Sequence, residues 1–109
     1  MSAVRVCSFD ELVVNEARRV VLDGVAITVV RDASDAVYAI GDTCTHGDIS
    51  LSDGFVEGDT IECWAHGSQF SLISGKPLNL PAYEPVPVFE VEIADGDVLV
   101  DPAAKRVGA

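Results

Sequence analysis

An all-β fold, a sandwich or small barrel, is what this sequence of 109 residues predicts. Two observations lead there. Short apolar segments, several alternating with polar residues, recur along the chain, and turn residues interrupt them at short intervals. "AVRVCS" (3–8) reads as an opening strand. Ser8 and Glu11 have the spacing of a helix capping box, but too little apolar periodicity follows for more than a turn or two. "EARRVVL" and "VAITVVR" flank Asp23-Gly24, the strongest short hairpin signal in the chain. "AVYAI" follows, bounded by "DASD" and by Gly41-Asp42. Between Ser50 and Asp59, "SDG" and "EGD" turns surround a short "FVE", and "TIECW" comes next. "VFEVEI" alternates apolar and acidic residues, as a strand with one wet face does, and turns at Asp95-Gly96 into "DVLVD". The tail after Asp101 is expected to be loose. No repeat, low-complexity tract or linker divides the chain, so residues 1–109 are expected to form one domain.

Charge and composition narrow the function. The net charge of −11 disfavours nucleic acid and anionic membrane, both of which would repel the protein. The longest apolar runs, such as "GVAITVV", are too short to cross a bilayer, and no N-terminal basic-then-apolar stretch suggests export. Three cysteines cannot all pair, and two stand beside histidines. A thiol-reducing, cytoplasmic location is the expectation.

Those cysteines and histidines are concentrated in "CTHGDISLSDGFVEGDTIECWAHGS" (44–68). Cys44-x-His46 and Cys63-x-x-His66 use both histidines of the chain and are separated by 16 residues. Cys7, inside a strand, reads as a small core residue with no role. Two thiolates and two imidazoles suit either tetrahedral zinc or a two-iron cluster with divided ligands. Structural zinc sites usually keep like ligands together, as C-x2–4-C and H-x3–5-H. Here each pair holds one of each kind. A dinuclear centre fits that pattern, each segment giving its cysteine to one iron and its histidine to the other.

The motif C-x-H-x16-C-x2-H, written here as "CTHGD" and "CWAHGS", resembles the Rieske [2Fe–2S] motif. The flanking strands resemble a minimal Rieske domain, and the nearest likeness is to the stand-alone ferredoxins of bacterial multicomponent, aromatic-ring-hydroxylating dioxygenase systems. The resemblance implies that Cys44 and Cys63 bind the inner iron and that His46 and His66 bind the outer one. "NLPAY" resembles the family's proline-containing third loop, which implies that Pro81 lies against the cluster.

Histidine ligation has an electrostatic consequence. Two ferric ions, two sulfides and two thiolates sum to zero, whereas four thiolates would leave the oxidised cluster at −2. Adding an electron to the neutral centre is easier, which lifts potentials to roughly −150 to +300 mV against about −400 mV for four-cysteine clusters. High-potential members of the family carry an extra cysteine in each loop and a tyrosine that bonds a ligand sulfur. The matching positions here are Ile49, Ala65 and Phe70, while Ser68 keeps the family's serine. The low end of the range is therefore expected. Trp64 stands where related ferredoxins often have proline, and reads equally as packing beneath the loop or as a docking anchor.

An oxygenase subunit would need a second iron site, yet both histidines are already used. A reductase would need a flavin or nicotinamide site, for which no sign exists. The expectation is a soluble, monomeric electron carrier, with no catalytic residue of its own. The resemblance implies an NAD(P)H-dependent flavoprotein reductase upstream and a terminal Rieske oxygenase downstream. Two alternatives stay open: a zinc-stabilised adaptor, and a Rieske carrier serving a pathway without an oxygenase.

Overall fold

The computed structural model describes residues 4–22, 24–43, 50–64, 67–78 and 86–106, with side chains as far as residue 102. Nine strands run in chain order: β1 Val4–Ser8, β2 Glu16–Leu22, β3 Val25–Arg31, β4 Val37–Gly41, β5 Phe55–Glu57, β6 Thr60–Glu62, β7 Gln69–Ser71, β8 Val88–Ala94 and β9 Asp97–Arg106. Short 3-10 turns occupy Phe9–Glu11 and Leu51–Asp53. Six strands form one antiparallel sheet in the order β1-β9-β8-β4-β3-β2, and three form a second, β5-β6-β7. The all-β expectation holds.

Alternation along the strands builds two cores. One face of the large sheet turns Ile27, Val29, Ala39, Phe89, Val98 and Val100 into a cluster with Cys7 and Leu12. Val20 and Leu22 of β2 pack on that cluster from the opposite edge to Cys7 of β1. A sheet whose two edge strands share one interior is rolled. The other face presents Val30, Ile40 and Val88, which meet Ile61, Phe70 and Leu72 of the small sheet and its hairpin. The small sheet thus rides on the outside of the roll and is anchored there by apolar burial.

Local chemistry explains the joints. The capping box at Ser8 forms, with the Ser8 amide donating to the Glu11 carboxylate at 3.1 Å. Arg31 then clamps this turn, its guanidinium lying 4.1 Å from the Phe9 ring centroid and donating to the Leu12 carbonyl. The β2–β3 pairing runs in unbroken register from Glu16↔Arg31 to Leu22↔Val25, as the Asp23-Gly24 signal requires. The tail departs from expectation. Strand β9 continues past Asp101 to Arg106, and its register on β8 jumps from Glu90↔Asp101 to Phe89↔Lys105. The irregularity takes up Pro102, which has no N–H to give to a ladder.

Candidate functional site

Of the four residues singled out as ligands, Cys63 is placed by the structure. Cys44, His46 and His66 lie outside the described residues, as do Ile49, Ala65 and Pro81. The described chain on either side of these segments shows how their ends are anchored.

Cys63 follows the last residue of β6 and is completely buried, with a free thiol. Its amide donates to the Ser68 carbonyl at 2.7 Å, and its carbonyl accepts from the Gly67 amide at 2.9 Å. Residues 63 and 68 are thereby pinned at the mouth of a tight connection into β7. Ser68, which carries the family's serine, is also wholly buried. Sequence reading did not find β7, whose three residues Gln69–Ser71 are too short and too mixed to show a period. Phe70 in that strand is fully buried among Ile61, Leu72 and Val30, so its ring is a core residue. Trp64 is 54% exposed, so packing beneath the connection does not account for it.

Segment 44–49 is flanked by a second clasp. Thr43 and Ser50 form an antiparallel bridge, and the Leu51 amide donates to the Asp42 carbonyl at 2.6 Å. The Asp42 carboxylate accepts from Thr28, Ser50, the Ser52 amide and Arg19. Burial alone would raise its pKa, but the hydrogen bonds from Ser50, Thr28 and Ser52 outweigh it and hold the carboxyl below its ordinary range. Asp42 reads in the sequence as a turn residue beside Gly41. The signal that could have exposed it is Thr28, a polar residue within the otherwise apolar "VAITVV" of β3.

Two glycines permit these close approaches. A Cβ on Gly54 would lie 1.9 Å from the Glu62 carbonyl oxygen, immediately before Cys63. A Cβ on Gly75 would lie 2.2 Å from the Val86 carbonyl oxygen, and Gly75 also has φ of +75°. The Val86 amide donates to the Gly75 carbonyl at 2.9 Å, which ties the chain leaving segment 79–85 to the β7 hairpin.

A single core joins all three roots. Leu51, just after segment 44–49, Cys63, just before 65–66, and Val86, just after 79–85, belong to the same buried cluster. A thiol withdrawn from water beside the mouths of three connections suits a centre bound by soft ligands and screened on its inner side. Cys7 sits in the other core, where burial pushes its thiol pKa up and keeps it protonated.

These features describe a small β protein in which the roots of three connections share one core with a buried cysteine. The chain belongs to the Rieske [2Fe–2S] domain family, whose model matches residues 2–90, and its cofactor is one Rieske-type [2Fe–2S] cluster. It is 42% identical to Ferredoxin CarAc of Metapseudomonas resinovorans over 89% of this chain and 91% of that one. Against the 3-phenylpropionate/cinnamic acid dioxygenase ferredoxin subunit of Escherichia coli K12 it is 34% identical, covering 93% and 94%. Among solved structures it matches a chain in the complex of reduced oxygenase and oxidized ferredoxin in carbazole 1,9a-dioxygenase. That match has a TM-score of 0.88 and 39% identity, with 96% of each chain covered. These relatives are ferredoxins, electron carriers rather than enzymes. Among the described residues no helix is long and apolar enough to cross a membrane.

Proposed function

We propose that this protein is the ferredoxin component of a dioxygenase system, holding its cluster through Cys44, His46, Cys63 and His66. It takes one electron at a time from an NAD(P)H-dependent flavoprotein reductase and delivers it to a terminal Rieske oxygenase. Residues 1–109 act as one domain, as a monomer in the cytoplasm. When bound, the cluster supplies a one-electron acceptor of modest potential. The chain's own part is to bury Cys63, close the connections on either side of it, and leave an exposed surface for partners.

The observation that supports this reading most is the match, over nearly the whole of both chains, to a ferredoxin seen with its oxygenase. The exposed indole of Trp64, one residue from Cys63, supports a docking face beside the cluster. Transient redox contacts usually bury less than about 1,200 Å², so one aromatic with a polar rim is enough to matter. The test is a reconstituted chain of NADH, reductase, this protein and oxygenase. Product formation should depend on this protein and fall on Trp64→Ala without a change in midpoint potential. If the reductase leaves the protein oxidised, or reduced protein fails to support any oxygenase of this class, the assignment is wrong.

A further inference from the structure

Asp42 is 3% exposed, although it stands only two residues before Cys44. An ionised carboxylate out of water is costly unless every oxygen is paired. Oδ1 accepts from the Thr28 hydroxyl at 2.5 Å and the Ser52 amide at 3.0 Å. Oδ2 accepts from the Ser50 hydroxyl at 2.5 Å and from Arg19 Nε at 3.1 Å. The Ser50 and Ser52 hydroxyls also lie 2.7 Å apart. On the main chain, the Asp42 amide donates to Ala26 and its carbonyl accepts from Leu51.

The distribution of these partners is what matters. Asp32, a buried aspartate just after β3, is held by Ser34, Ala36 and Tyr38, all within six residues downstream. Asp42 instead ties the end of β4 to β2 and β3 on one side, and to residues 50–52 on the other. It grips the chain after segment 44–49 from a position just before it. A network of this kind sets how far apart the two ends of the segment stand.

We propose that Asp42 is a positioning residue for the cluster, its carboxylate fixing the span that carries Cys44 and His46. The proposal rests on the ligand assignment above. Without the carboxylate, the Thr43–Ser50 bridge and the apolar anchor Leu51 remain, so the fold persists while the span loosens. Residues that orient metal ligands typically change metal retention by about 10–100-fold when removed.

The experiment compares the holoproteins of Asp42→Ala, Asp42→Asn, Ser50→Ala and Val98→Ala. Val98 lies in the opposite core, so its truncation weakens the fold without touching the clasp. Three quantities are read: the thermal midpoint, the half-life of visible absorbance under a chelator, and the EPR linewidth of the reduced protein. Asp42→Ala should shorten the half-life by about tenfold or more relative to Val98→Ala at equal loss of thermal midpoint, and broaden the EPR signal. Asp42→Asn, which keeps one acceptor oxygen but turns an amide nitrogen toward donors, should fall between. Equal half-lives and linewidths in Asp42→Ala and Val98→Ala would overturn the proposal. Should Asp42→Ala not fold, Ser50→Ala carries the same comparison, and a half-life matching Val98→Ala overturns it equally. A separate Cys44→Ala arm tests the ligand set. Cluster retained in Cys44→Ala would sink that assignment itself, whereas cluster lost there with no effect at Asp42 rejects the clasp alone.

Discussion

The Cys63 amide donates to the Ser68 carbonyl across 2.7 Å, so the chain enters and leaves the 63–68 connection at one fixed point. That hydrogen bond and its companion from Gly67 tie buried Cys63 to the residues that lead into β7. Strand β6 feeds one side of the pin and β7 the other, in the register Ile61↔Phe70 and Glu62↔Gln69.

Substitution of the two described cysteines should therefore separate cleanly. Cys63→Ser is expected to abolish the visible spectrum and lower iron content to background. Cys7→Ser should leave both intact, because Cys7 packs in the opposite core with a protonated thiol. Iron analysis and absorbance spectra of the purified variants decide this. Bleaching in Cys7→Ser would overturn the ligand assignment.

Phe70 couples the small sheet to the large sheet. Its ring is fully buried between the small sheet and the large sheet's Val30, Ile40 and Val88. Phe70→Ala should cost about 3–5 kcal/mol in denaturant unfolding, the sum of lost transfer energy and a cavity. Leu12 belongs to the opposite core, which does not include this ring. A loss below about 1 kcal/mol would mean that the site collapses around the gap, contrary to interior packing.

How much could be read beforehand differs from element to element. The β2–β3 hairpin is legible from Asp23-Gly24 between two apolar segments, Asp23 itself lying outside the described residues; the β8–β9 hairpin is legible from the alternation of β8 and its Asp-Gly turn, where Asp95 and Gly96 both adopt positive φ, 53° and 79°. Strand β7 was hidden because its register comes from pairing with β6 and from the Phe70↔Pro77 bridge, not from its own pattern. The tail after Asp101 is expected to be loose as a chain terminus, whereas β9 continues to Arg106 through a register jump on β8. The cysteine–histidine spacing was the clearest functional signal. The Asp42 network was not legible, because a buried carboxylate bonded from several elements looks, in sequence, like any turn aspartate.

Acid should loosen the β3–β4 turn through Asp32. Burial alone would raise its pKa, yet bonds from the Ala36 amide, the Tyr38 hydroxyl and the Ser34 amide outweigh this and lower it. A depressed folded-state pKa adds stability above the unfolded value of about 3.9, and that stability is lost as pH falls through the lower folded value. Asp32→Asn should therefore flatten the acid limb of stability against pH below about pH 4. A limb as steep as that of the parent would place the acid sensitivity in other carboxylates.

Docking should be steered by charge. No lysine or arginine lies between Arg31 and Lys76, while eight acidic residues do. Two of the eight, Asp32 and Asp42, prove to be buried and hydrogen-bonded, and Asp35 is paired with Arg31. Asp53, Glu57 and Asp59 are exposed and remain available to shape the field near the connections. Raising ionic strength from roughly 0.01 to 0.15 M shortens the Debye length from about 30 to 8 Å and should slow association with reductase or oxygenase. Asp48, one of the eight and two residues after His46 in the sequence, lies outside the described residues, and Asp48→Lys should slow transfer further while leaving the midpoint potential little changed. Stopped-flow rates that stay flat across that range would make the exposed indole of Trp64 the first determinant to test.

The most direct measurement of the central claim is metal and sulfide analysis of the purified protein, joined to EPR of its reduced form. Two irons and two acid-labile sulfides per chain, with a red-brown colour and a Rieske-type signal on reduction, are the result expected of this family. One zinc per chain, no sulfide, and a colourless, EPR-silent protein would contradict the account at its root.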